Sequence, residues 1–148
     1  MKGPRRWLAG LGLACAMMPG MSVADASLRL TVPVPAAIRT GGGSVILRLS
    51  DVRLPPNSGG LVRIFAGLAP DEQPADERSP KYLGYFAVVP KNSGDAARGP
   101  TLAEVSVDVT AQRAAFAGRP DIALTLVASG TGREERGFTV GRAVLSAR

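Results

Sequence analysis

Apolar and polar residues alternate along most of this chain with the period of two that strands require. From Ser27 to Val32, Leu28, Leu30 and Val32 fall on one side and Ser27, Arg29 and Thr31 on the other, as in a half-buried strand. Pro33 and Pro35 follow at once and limit pairing, which suits an edge strand or its exit. After a Gly41-Gly42-Gly43 turn, Val45, Leu47 and Leu49 alternate with Arg48 and Ser50 over 44–53. Leu61 to Gly67 and Tyr82 to Val89 are rich in β-branched and aromatic residues and read as two strands joined by a long polar loop, Leu68 to Lys81. A fifth strand covers 103–109, with Val105, Val107 and Val109 opposite Glu104, Ser106 and Asp108. Ile122, Leu124 and Leu126 mark a sixth. Phe138 to Leu145 is the seventh, and the parity change after Gly141 predicts a bulge there.

Between the fifth and sixth strands, Thr110 is placed to cap a short helical turn, Ala111 to Ala117, closed by Gly118 and Pro120. Pro55 to Gly60, Lys91 to Pro100 and Ser129 to Gly137 are turn or loop clusters. About seven short strands with one short helix predict an all-β fold, an antiparallel β-sandwich. The strand pair around the Leu68 to Lys81 loop holds Phe65, Tyr82, Tyr85 and Phe86, and is expected to concentrate the aromatic mass of the core, with Phe116 if the fold returns there.

The first 26 residues read differently. Lys2, Arg5 and Arg6 form a positive n-region, Trp7 to Met18 an apolar h-region, and Ala24-Asp25-Ala26 a small-x-small cleavage site, the pattern of a signal peptide. This predicts a leader at 1–26, a single domain at 27–148, and an exported, periplasmic or extracellular product. The apolar stretch is short and broken by glycine, so stable membrane insertion after leader removal is not expected. Arg5-Arg6-Trp7 also has the look of a twin-arginine signal, with Pro4 where Ser or Thr is usual. Gly12-Leu13-Ala14-Cys15 distantly resembles a lipoprotein box, and Cys15 otherwise belongs to the h-region.

Composition narrows the chemistry. The only Cys, the only Trp and all four Met lie within 1–26, and the chain has no His. What remains lacks imidazole, thiolate and thioether, so the usual zinc and copper ligand sets and any Cys or His nucleophile pair are excluded, and no cofactor is expected. Loss of the leader removes three basic residues and one acid, so the net charge falls from +6 to +4. These charges are scattered without a basic face interleaved with aromatics, which disfavours nucleic acid. Gly41-Gly42-Gly43 is followed by a strand and no Lys-Ser/Thr, so it is a turn and not a phosphate loop.

Asp71, Glu72, Asp76 and Glu77 make the 68–81 loop a candidate for calcium, although their spacing does not follow a calcium loop; the other reading is a solvated loop. Loops of this length are more often functional than idle. Glu104 and Asp108 lie about 13 Å apart at strand rise, too far for a glycosidase pair, and no enzymatic site is expected.

The succession Val62-Arg63-Ile64-Phe65, long loop, Tyr82-Leu83-Gly84-Tyr85-Phe86, Val107-Asp108-Val109-Thr110 with a short helix, Leu124-Thr125-Leu126-Val127-Ala128 and Phe138-Thr139-Val140-Gly141-Arg142-Ala143-Val144-Leu145 resembles the C-terminal domain of tyrosinases and plant-type polyphenol oxidases. The resemblance covers roughly Val45 to Leu145. It implies a β-sandwich similar to the third domain of haemocyanin, which in that family lies over the di-copper domain, covers its entrance, and can place a bulky side chain in the substrate pocket. The six copper-binding histidines of the catalytic domain have no counterpart in this sequence, so oxidase activity does not carry over. The resemblance implies a non-catalytic exported accessory domain that shields or supports a tyrosinase-like di-copper oxidase in trans. Leu68, Tyr82, Tyr85 and Phe86 are the candidate partner contacts, each weighed against core packing. A free-standing secreted or periplasmic binding or structural module with no copper-enzyme partner is the alternative, which an exposed aromatic row on one sheet face would favour.

Overall fold

A computed structural model describes residues 25–56, 58, 60–74, 76–89, 99–129 and 137–148. Residues 1–24, the polar loop at 91–98 and the hairpin loop at 130–136 lie outside the described residues. Seven strands form: β1 (Ala26–Pro33), β2 (Val45–Arg53), β3 (Leu61–Ala66), β4 (Tyr82–Ala87), β5 (Thr101–Asp108), β6 (Asp121–Ala128) and β7 (Thr139–Ala147). They pair antiparallel in a four-stranded sheet of order β1-β6-β3-β4 and a three-stranded sheet of order β5-β2-β7. This is the all-β sandwich that the alternation predicts.

Between the sheets lies the main core, which includes Leu47, Leu49, Val62, Ile64, Leu124, Leu126, Phe86, Phe116, Phe138 and Leu145. At about 25 cal/mol per Å2 of apolar surface withdrawn from water, side chains of this size contribute roughly 1.5–3 kcal/mol each. That burial holds together a domain with no cysteine among its described residues. β1 is an edge strand, as its trailing prolines require. It opens at Ala26, the last residue of the expected leader; that residue is fully buried and faces Ala128.

Two helices occur among the described residues. The expected turn after β5 is a 3-10 helix, Thr110–Phe116, kinked at Gln112. Thr110 does not cap it. The hydroxyl instead accepts from the Val45 N–H at 2.8 Å and donates to Asp108 at 2.5 Å, tying the start of β2 to the end of β5. That hydroxyl hydrogen bond is the main influence holding the Asp108 carboxyl below its ordinary range. The second helix, α1 (Ala36–Thr40), was not expected. Its one buried residue, Ile38, plugs the end of the sandwich, and Arg113 of the 3-10 helix donates to the Gly41 carbonyl just past its C-terminus.

The parity change at Gly141 is real, but no extra residue is inserted there. β2 and β7 keep one register on either side, Ser50 opposite Arg142 and Val52 opposite Val140. The whole three-stranded sheet changes face along one line: inward residues step from Leu49 to Val52, from Leu102 to Val105 and from Val140 to Ala143. On that line sits Asp51, a non-glycine residue at φ 52° within the central strand, between the inward residues Leu49 and Val52. Such a conformation costs on the order of 1–3 kcal/mol. Asp51 lies against Gly141, where an added Cβ would meet the Asp51 Cβ at 2.9 Å.

Gly141→Ala is therefore expected to destabilise the domain by about 1–3 kcal/mol, and Asp51→Gly to recover much of that loss by removing both strain and obstruction. Urea denaturation of the two single variants and the double variant measures the coupling. Strict additivity would contradict the contact.

Candidate functional site

β3, β4 and the loop between them form the face on which the candidate contacts converge. In β3, Val62 and Ile64 point into the main core, so Arg63 and Phe65 point outward. An outward Phe on an open sheet would be wet, yet Phe65 is fully buried. The 68–81 loop folds back over the outer face, and Phe65, Leu68 and Val127 form a second cluster with Tyr82 packed against it. The Tyr82 ring meets Phe65 edge-on, with centroids 5.6 Å apart and planes at 61°. Arg63 lies 5.9 Å from the centre of the Phe65 ring and donates to Asp25 at 3.0 Å, a partly buried ion pair at the start of the fold. The C-terminal part of β6 is therefore buried on both faces, from Leu124 to Ala128.

Hydrogen bonds internal to the loop hold it closed. Lys81 donates to both Glu72 oxygens at 2.9 and 2.7 Å, and Glu72 also accepts the Ala69 N–H at 3.0 Å. Asp76 accepts the Arg78 N–H, and the Ala66 N–H reaches the Lys81 carbonyl to join the two ends. Two of the four acids raised as calcium ligands are thus engaged within the loop. Among the described residues, no three carboxylates gather as a metal site would need.

The Lys81 ammonium, with help from the Ala69 N–H, holds the Glu72 carboxyl below its ordinary 4.5. A carboxylate depressed in the fold stabilises it above the ordinary value, and that stabilisation is lost as pH falls from 4.5 through the lower folded value. The Ala69 amide resonance is expected to titrate with a midpoint below 4.5 and to lie flat in Glu72→Gln. A midpoint at or above 4.5 would show that the lock is not formed.

The four candidate contacts separate. Leu68 belongs to the second cluster and Phe86 to the main core, both buried. Tyr82 is half-buried, and removal of its phenol from water raises its pKa above the ordinary value. Tyr85 is 59% exposed. Strand alternation predicts Tyr82 and Phe86 on one face and Tyr85 on the other, and this is corrected by an irregularity in β4. Pairing slips between Ile64 and Phe65, where Gly84 sits at φ 147°, so Tyr82 faces outward with Tyr85 while Phe86 turns in. Both Tyr82 and Phe86 can be packed because this part of the sheet is covered on both faces.

Beyond the irregularity, β4 and the two residues that follow it alternate cleanly. Phe86 and Val88 are buried, and Tyr85, Ala87 and Val89 are exposed, Val89 at 80%. Val89 completes an uncharged row that the sequence reading missed, although its spacing from Tyr85 contained the signal. β4 is also the outer strand of its sheet. Val88 donates to Gly60 at 2.7 Å toward β3, so by antiparallel alternation the N–H and C=O groups of Tyr85 and Ala87 turn to the open edge. The three-stranded sheet, by contrast, carries a polar cleft of about 220 Å3 lined by Arg48, Ser50, Glu104, Arg142, Val144 and Ser146. Glu104 there pairs with Arg48 at 3.5 Å, and Asp108 binds Thr110, so the two carboxylates weighed for catalysis have separate structural partners.

The two-sheet sandwich defines an all-β module, and its fold is similar to part of latent polyphenol oxidase structures. Latent aurone synthase (polyphenol oxidase) from its natural source superposes with a TM-score of 0.54 at 20% identity, over 82% of this chain and 24% of that chain. The recombinantly expressed enzyme gives 0.56 at 21% identity, over 82% and 24%. Latent apple tyrosinase gives 0.58 at 14% identity, over 83% and 26%. The chain spans about a quarter of the length of these proteins. No family model matches the chain, and no curated protein matches it. The resemblance to the C-terminal domain of this family holds at the level of fold.

Proposed function

We propose that the chain is a non-catalytic, exported accessory domain that docks in trans on a tyrosinase-like di-copper oxidase and shields or supports its copper site. The observation that carries this reading is the match itself. Most of this chain corresponds to about a quarter of a latent polyphenol oxidase, and the sequence contains no histidine with which to build a copper site of its own. Sandwiches host many unrelated functions, so fold alone is not enough. The Tyr85, Ala87 and Val89 row adds a surface with the character of a docking face, a large aromatic among small apolar groups beside an open strand edge. The aromatic row that would favour a free-standing binding module is reduced to Tyr85, because Tyr82 and Phe65 are packed under the loop.

The test is co-expression with a tyrosinase-like oxidase from the same genome. Copper content, activity and elution position of the oxidase are expected to change when this chain is present. If all three are the same with and without it, the proposed role is lost.

A further inference from the structure

Resting on the export reading above, we propose that the leader is cut between Ala24 and Asp25, so that the exported chain begins with Asp25. The small-x-small triplet Ala24-Asp25-Ala26 would place the cut after Ala26, and the fold argues against that position. Ala26 is the first residue of β1, fully buried, paired with Ala128 and part of the core between the sheets. Asp25 accepts from the Arg63 guanidinium at 3.0 Å, and the two side chains are only 26% and 23% exposed. Arg63 in turn lies over Phe65, the centre of the second cluster. A cut after Ala26 would remove the first rung of the β1–β6 ladder and leave the half-buried Arg63 without this carboxylate, a costly state for a charged donor.

Ser22-Val23-Ala24 offers the same small-x-small pattern two residues earlier. Hydrolysis there adds water across the Ala24–Asp25 amide, releasing the leader with a terminal carboxylate and leaving Asp25 with a free α-ammonium. Either order of events favours this position. In a chain that folds before export, the Ala26–Ser27 bond is within a paired strand and out of reach of a peptidase, whereas Ala24 precedes the strand. In a chain that folds afterwards, only the earlier cut supplies Asp25 and Ala26 to the fold.

Full-length chain should be produced with its leader in a bacterial host, and the exported fraction read by intact mass and N-terminal sequencing. The expected product starts Asp25-Ala26-Ser27, heavier by one Asp and one Ala residue than the alternative. A product starting at Ser27 overturns the site and leaves export standing. Chain retained at full length overturns export and the site together. Ser22→Arg, which puts a charge where the proposed cut needs a small residue, is expected to accumulate precursor; unchanged yield of mature chain would overturn the assignment. Chain made directly from Asp25 is expected to melt above chain made from Ser27, and equal Tm values would remove the physical ground for it.

Discussion

Phe65→Ala is expected to destabilise the domain by about 3–5 kcal/mol, the range for emptying a buried aromatic site. Against a typical total of about 5–15 kcal/mol for a whole domain, that is a large share. Phe65 faces away from the main core, fully buried beneath the loop, with Tyr82 edge-on, Arg63 over its ring, and Leu68 and Val127 against it. Leu68, Val127 and Tyr82 lose a shared packing partner at once, while Arg63 keeps its ion pair with Asp25. The loop closes over Phe65, so its amides at 68–74 and 76–81 should lose hydrogen-exchange protection ahead of the amides of β2. Urea denaturation gives the total loss, and residue-resolved exchange shows where it falls. Uniform loss across both sheets would mean that the loop is not a separate layer.

The second large effect concerns binding. Tyr85→Asp is expected to weaken the proposed docking on a tyrosinase-like oxidase by at least about 30-fold, the loss that follows if Tyr85 is a hot-spot aromatic worth about 2 kcal/mol or more. Tyr85 is 59% exposed, so the change should leave the unfolding free energy within about 0.5 kcal/mol. Pairing a binding titration with a urea curve separates the two effects. Weakened binding with unaltered stability places the interface on β4. Unchanged binding moves it elsewhere on the molecule.

Strands were legible in the sequence because most alternate with a period of two, as β1 does, while β3 and β4 showed in their β-branched and aromatic content. The edge position of β1 was legible because Pro33 and Pro35 have no N–H to give. α1 was not, since five residues between Pro35 and Gly41 carry a single buried anchor, Ile38, too little to show a helical period. Nor was the line of parity change across three strands, because Asp51, which sits on it at positive φ, has no local signature.

The aromatic cluster around β3 and β4 was legible as composition, but not its division between two layers. That division depends on the slip at Ile64/Phe65 and on Leu68 returning over the outer face, both tertiary events. For the same reason, the four candidate contacts looked alike along the chain and came apart in space, with Tyr85 alone well exposed.

The loop also separates this face from an ordinary open sheet. By covering Phe65 and leaving Tyr85, Ala87 and Val89 uncovered, it confines the apolar exposure to one row beside the β4 edge. Exposed edges of this kind are prone to strand addition and are commonly blunted by charge or proline. β4 carries neither between Tyr82 and Ala87.

Covering in trans is tested most directly by titrating the purified, leader-free chain into a copper-loaded tyrosinase-like oxidase while following both heat of binding and oxidation of an ortho-diphenol. Saturable binding with a parallel change in turnover, and no oxidation by the chain alone, is the predicted result. Oxidation of the phenol by this chain without the oxidase, or the absence of any binding heat with turnover unchanged, would contradict it.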